Sequence, residues 1–296
     1  MRIRDEFRKC VCFLALRKDN GDYCFVGSAF WLGRDIPGES RTKQTYLVTA
    51  RHVIESIRKK GLTEVWLRVN HKDGTARWYS IDLDRWFIYY ADMSIDVAVV
   101  SAGIPEELDH LVFPWSLCIT PARWRENEVS LGEEVFVVGL FSNHYGRERN
   151  IPVVRVGNLA AIGEEKVVTQ YGLMDALLIE ARSTGGLSGS PVFLNLGDFR
   201  RIGGETKFAS SEVQYCLGLV HGHFPVRDAA DTAGEIHADV VSSIARLNTG
   251  IAVVVPFHSV EKVVEAYEAL TGTAVESQAP GAKLPQAEHL DEDTPQ

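Results

Sequence analysis

Three short stretches of this sequence carry side chains suited to acyl transfer. The first, Thr45-Tyr-Leu-Val-Thr-Ala-Arg-His52-Val-Ile, is an apolar run that ends at a histidine and passes into a short helical segment over Val53 to Lys59. A general base must be held within fractions of an ångström, and a strand-to-helix corner fixes its backbone while leaving the ring facing a cleft. The second, Ser94-Ile-Asp96-Val-Ala-Val-Val, sets an aspartate directly before an apolar strand. A carboxylate that close to a core needs a partner. A histidine N–H is one such partner, and the pairing fixes the tautomer whose other ring nitrogen is free to take a proton. The third is Ser183-Thr-Gly-Gly-Leu-Ser188-Gly-Ser-Pro-Val-Phe, a glycine-rich bend leading into an apolar strand. Gly186 and Gly189 permit backbone conformations and close approaches that a side chain forbids. The N–H groups of Gly186 and Ser188 can then converge on one oxygen as an oxyanion hole, with Ser188 as nucleophile and Pro191 fixing the exit into the strand. Each motif also has a plain structural alternative: a hydrogen-bonded histidine, a turn aspartate, a glycine-rich hairpin.

The elements that must position these groups are short β-type runs separated by turn residues. Val11–Leu16, Cys24–Leu32, Thr45–Thr49, Val65–Val69, Trp86–Tyr90 and Val97–Val100 form a first series, which predicts an antiparallel barrel or sandwich. A looser stretch with Pro105, Pro114 and Pro121 follows as a connection. Glu134–Leu140, Pro152–Val156, Ala176–Ala181, Pro191–Asn195, Tyr215–Val220 and Ile251–Val255 form a second series. The expected organisation is a β-domain over residues 1–105 carrying His52 and Asp96, a connection over 106–130 and a second β-domain over 131–256 carrying Ser188. After Pro256 the apolar residues Val260, Val263, Val264, Tyr267 and Leu270 recur at helical spacing, predicting a helix over 257–273. Ser259 is placed to cap it and Gly272 to end it, and it is expected to pack on the second β-domain. Residues 274–296 are polar, proline-containing and acidic, and are expected to be disordered.

The order His52, Asp96, Ser188, with two groups in the first series and one in the second, makes coincidence of three separate motifs improbable. TARH, DVAVV and GLSGSPVF resemble the three catalytic signatures of the chymotrypsin-like (trypsin-like) serine protease family, in that family's order and with similar separations. The resemblance implies an all-β fold of two antiparallel six-stranded barrels with the site in the cleft between them, followed here by the C-terminal α-helix. It implies a serine endopeptidase in which His52 takes the proton of Ser188, Asp96 orients His52, and Gly186 with Ser188 stabilises the oxyanion. No metal or cofactor is needed. The rival expectation is a catalytically silent protease fold that binds peptides or a regulatory protein partner, and within the enzyme class an esterase.

The chain departs from the secreted animal members of that family. Leu187 stands before Ser188 where those enzymes have an acidic residue, Val53 follows His52 where they have a cysteine, and no Ile-Val-Gly-Gly start is present, so the sequence is more similar to bacterial non-secreted members. Arg51 replaces the small residue usually found before the histidine and adds charge near the cleft. Tyr215-Cys-Leu-Gly-Leu-Val-His221-Gly-His223 resembles the strand that walls the primary specificity pocket, and Arg182 stands where the family places that pocket's base. Arg182, His221 and His223 are therefore candidate substrate-binding residues favouring acidic side chains. A zinc site from His221 and His223 completed by His237 or Asp231 lacks a third ligand at recognisable spacing, and no metal is expected.

Composition narrows the partners. With 45 % hydrophobic and 24 % charged residues in 296, no apolar run approaches transmembrane length. A net charge of −9 without clustered Lys or Arg argues against nucleic acid. The partner expected is a protein or peptide substrate. Five cysteines without zinc-like spacing predict buried thiols, although a bridge from Cys10 or Cys12 to Cys24 stays open. With no signal peptide expected in the opening residues, a cytoplasmic location is expected.

Overall fold

The computed structural model describes residues 2–36, 43–163, 165–169, 171–181, 186–197, 199–208, 213–225 and 248–272. Arg182, Asp231, His237 and the tail expected over 274–296 lie outside the described residues.

The N-terminal half is a sheet of eight strands: β1 (Val11–Arg17), β2 (Tyr23–Asp35), β3 (Lys43–Thr49), β4 (Glu64–Asn70), β5 (Ala76–Asp82), β6 (Phe87–Ile88), β7 (Ala98–Ser101) and β8 (Phe113–Pro114). Their order is β5-β4-β1-β2-β3-β7-β6, with β8 pairing β2 in parallel. The sequence resemblance implies a closed barrel here. Among the described residues the hydrogen bonding instead runs from β5 to β6 without closing. At that end β6 offers only two residues, Phe87 and Ile88, both paired with β7.

The C-terminal half is a closed barrel. Its strands are β9 (Glu134–Gly139), β10 (Val153–Ala161), β13 (Leu177–Glu180), β14 (Pro191–Asn195), β17 (Gln214–Pro225) and β18 (Asn248–Pro256), in the order β10-β13-β18-β17-β14-β9. Two hairpins stand outside it: β11 (Val167–Thr169) with β12 (Gly172–Met174), and β15 (Phe199–Ile202) with β16 (Glu205–Phe208). Strands such as β14, buried along their whole length, read in sequence as continuous apolar runs.

Phe7, in the 3-10 turn Asp5–Cys10, seals the seam between the halves. Its ring meets Phe136 of β9 at 5.2 Å and Phe193 of β14 at 4.8 Å, and Phe113 of β8 completes the cluster at 5.0 Å from Phe193. Edge-to-face packing of this kind adds to the roughly 1.5–3 kcal/mol each ring gains from burial.

Among the described residues there are three α-helices: α1 (Arg51–Arg58), α2 (Pro121–Glu126) and α3 (Phe257–Thr271). α2 starts where the Thr120 side chain accepts the Arg123 N–H at 3.2 Å, with Pro121 at its first position. α3 ends at Gly272 as expected, with φ +69°, but it begins two residues before Ser259, and Ser259 is buried within it rather than capping it. Its packing also exceeds the expectation of a helix lying on the second half alone. Glu268 accepts from Arg34 of β2 at 2.8 Å and from Tyr46 of β3 at 2.6 Å, and Lys262 pairs with Asp92 at 2.8 Å. The last helix thus clasps the first half.

Candidate active site

β3 delivers the chain to Ala50, where the backbone turns from extended to helical, so His52 stands in the first turn of α1. No side chain at the N-cap satisfies the free N–H groups there. Asp96, two residues before the start of β7 at Ala98, does so: its Oδ1 accepts the His52 backbone N–H at 2.8 Å. Its Oδ2 lies 2.7 Å from His52 Nδ1. One carboxylate therefore holds both the backbone and the ring of His52, at a helix N-terminus that favours negative charge. Burial of Asp96, which is 1 % exposed, works against its ionisation. The charges and hydrogen bonds of His52 and His221 outweigh that and hold the carboxyl far below the usual carboxylate range.

The turn over Gly186–Ser190 carries Ser188 between the two halves. Gly186 has φ +97° and Gly189 φ +82°, in the left-handed region where a Cβ is strained. A Cβ at Gly189 would stand 2.2 Å from Ser28 O and 2.3 Å from Thr49 Oγ1, so only glycine lets the turn press against β2 and β3. The turn is pinned from both sides. Ser28 N donates to Ser188 O at 2.9 Å, and Gly189 N donates to Val220 O at 2.8 Å. The Ser188 hydroxyl donates to the carbonyl of His221 at 3.1 Å.

The buried Ser28 is a residue of the site that the sequence motifs left unnamed. Its Oγ donates to Gly186 O at 3.0 Å and accepts Leu140 N–H at 3.0 Å, tying the glycine turn to the end of β9. The available signal was a lone polar side chain inside the apolar stretch Val26 to Leu32. Tyr171, between β11 and β12, gave no such signal. Its ring stacks on His52 at 4.9 Å and 20°, and burial, then the negative charge of Asp96, raises its phenol.

The sequence places His221 in the wall of the specificity pocket. The structure buries the ring and commits its Nδ1 to Asp96 Oδ2 at 2.5 Å. His223 is exposed on β17, and Arg182 lies outside the described residues. Arg51 is not a free charge at the cleft: it is buried, donates to Met93 O at 3.0 Å and lies 3.6 Å from Glu55. A cavity of about 290 Å³ beside the start of α3, lined by Trp124, Leu177, Leu217 and Phe257 among others, contains none of these groups.

Among the described residues, one group of His, Cys, Asp or Glu has ligand atoms close enough for a metal ion: His52, Asp96 and His221. Its N···O separations of 2.5 and 2.7 Å are hydrogen-bond lengths. Donor atoms around a tetrahedral zinc stand roughly 3.3 Å apart, so protons, not a cation, fit this arrangement.

The site pairs a histidine held by an aspartate on one half with a serine in a left-handed glycine turn on the other, the serine hydroxyl donating to His221 O, and it is matched at the family level. Residues 27–200, more than half of the chain, match the model of the trypsin-like peptidase domain. The chain belongs to that family. Among solved structures it is similar to the protease domain of MamO from Magnetospirillum magneticum, with 16 % identity over 71 % of this chain and 93 % of that one, at a TM-score of 0.41. Protease A of Thermobifida fusca matches with 13 % identity over 88 % of this chain and 93 % of that one, at a TM-score of 0.32. No curated protein matches. All five cysteines of this trypsin-like peptidase domain protein are free thiols, so Cys10 and Cys12 form no bridge to Cys24.

Proposed function

We propose that the protein is a serine endopeptidase in which Ser188, His52 and Asp96 act together. The observation that carries this is the double hold of Asp96 on His52, at 2.8 Å to the backbone and 2.7 Å to Nδ1. It leaves Nε2 as the proton acceptor. As Ser188 Oγ bonds to the scissile carbonyl carbon, its proton passes to Nε2 and the carbonyl electrons move onto oxygen. The N–H groups of Gly186 and Ser188 receive that oxyanion. Collapse breaks the C–N bond, and the proton on His52 goes to the departing amine. Water then takes the place of the amine, giving up a proton to His52 while its oxygen attacks the acyl-enzyme, which releases the acid and restores Ser188. Five free thiols support a reducing compartment such as the cytoplasm.

One observation favours a second reading, a silent protease fold that binds peptides. The Ser188 hydroxyl donates to His221 O, and must turn away from that carbonyl to give its proton to His52. Such a rotation is ordinary in an unliganded hydrolase, where these contacts tighten only with substrate. A fluorophosphonate probe separates the two. Labelling of the wild type that is lost in Ser188→Ala supports the peptidase, and equal labelling of both, or of neither, defeats it. Cleavage of a peptide library then distinguishes a peptidase from an esterase.

A further inference from the structure

We propose that His221 is a second histidine on the same aspartate, a positioning residue that shares Asp96 with His52 and thereby sets how far activity extends into acid. The proposal rests on the peptidase reading for its kinetic consequence, while the shared carboxylate itself does not depend on it.

Asp96 Oδ2 is 2.7 Å from His52 Nδ1 and 2.5 Å from His221 Nδ1. For both contacts to be hydrogen bonds to an ionised carboxylate, each imidazole must present Nδ1–H. The rings stand 5.1 Å apart at 71°, and Tyr171 closes the group, stacked on His52 and edge-on to His221 at 5.4 Å and 89°. His221 also touches the nucleophile, since its carbonyl accepts the Ser188 hydroxyl. One residue on β17 therefore contacts Asp96 with its side chain and Ser188 with its backbone.

Tyr171 feels the charge of Asp96 and also those of Arg51 and Glu55. Arg51 and Glu55 lie 3.6 Å apart and largely offset each other, leaving one negative charge for two imidazoles. During turnover His52 becomes an imidazolium that needs that charge. Whatever His221 draws from Oδ2 is withheld from it, and a proton on His221 would place a second cation beside the first. Removing the His221 donor leaves Asp96 wholly to the His52 imidazolium of turnover, and the acid limb of activity is expected to move up.

The test is the pH dependence of kcat/KM for the wild type, His221→Leu and His221→Gln, each normalised to its fluorophosphonate-reactive fraction so that loss of folded protein does not count. The leucine variant is expected to move its acid limb up by roughly half to one pH unit. Glutamine, which keeps an N–H donor, is expected to return it toward the wild-type position. Coincident limbs in all three proteins would overturn the proposal. A second measurement stands apart from catalysis: proton NMR of Ser188→Ala should show two low-field imidazole N–H signals, one of which vanishes on adding His221→Leu. A single signal indifferent to that change refutes the shared carboxylate. A wild type that does not react with the probe, but shows both signals, refutes only the peptidase reading.

Discussion

Ser28→Ala removes one oxygen and tests how the two halves are joined at the site. Ser28 is fully buried, and its hydroxyl makes two contacts of 3.0 Å, one from Leu140 N–H and one to Gly186 O. Alanine fits the space without strain, so the loss is confined to those partners. A buried backbone group left without a partner costs about 1–3 kcal/mol, and two of them together set the expected destabilisation at about 2–6 kcal/mol. Gly186 also loses the anchor that orients its peptide beside Ser188. Complete loss of one oxyanion donor lowers a rate by roughly 10²–10³, and a displaced donor by less, so about a 10- to 100-fold drop in labelling rate is expected. Urea denaturation gives the first quantity, and the rate of fluorophosphonate labelling, corrected for folded fraction, gives the second. A variant within about 0.5 kcal/mol of the wild type that labels equally fast would refute the bridge as a determinant of either.

Gly189→Ala sets a Cβ 2.2 Å from a backbone oxygen at a φ of +82°; it is expected to cost more than about 3 kcal/mol, read as a lowered melting temperature, whereas Gly27→Ala, whose Cβ meets Ser188 O at 3.0 Å, costs less. Asp92 is held down to about 2, first by the hydrogen bond from Lys262 and then by Ser94. As a depressed carboxyl it stabilises the fold above its ordinary value near 4 and loses that contribution as the pH falls toward 2. With Asp92 and Lys262 both partly exposed, Asp92→Asn should lower stability at pH 7 by no more than about 1 kcal/mol, a gap that narrows between pH 4 and pH 2 in urea titrations. Cys24 is exposed while the other four thiols are buried, and burial raises those of Cys10 and Cys12, so iodoacetamide should modify Cys24 alone in the native protein, as peptide mass mapping will read.

The sequence made the strands that carry the site legible, because their inward residues leave no doubt about period or burial. β14 coincides with its expected bounds, and β1, β3, β4 and β9 differ from theirs by one or two residues. What escaped was amphipathic by another measure. β5, with the sequence ARWYSID, is mostly half-buried, and the hairpins β11–β12 and β15–β16 carry exposed Val168, Leu173, Phe199 and Phe208 that no core demands. Their pairing is set by turns rather than by a hydrophobic face. At the site, His52 and Asp96 were legible from their positions beside strands, and the structure brings them together. The partner of His221 was not, since side-chain direction on a strand with bulges near Val220 and His223 cannot be counted from alternation.

The placement of β18 and α3 has a consequence for the order in which the molecule comes into being. β18 is the stave that joins β13 to β17, and α3 reaches back to Arg34, Tyr46 and Asp92. A ribosome has therefore made Ser188 well before it makes the segments that complete the barrel behind it. The nascent chain then carries His52, Asp96 and Ser188 yet lacks the frame that aligns them, so in the proposed peptidase any hydrolytic capacity is withheld until β18 and α3 have been made.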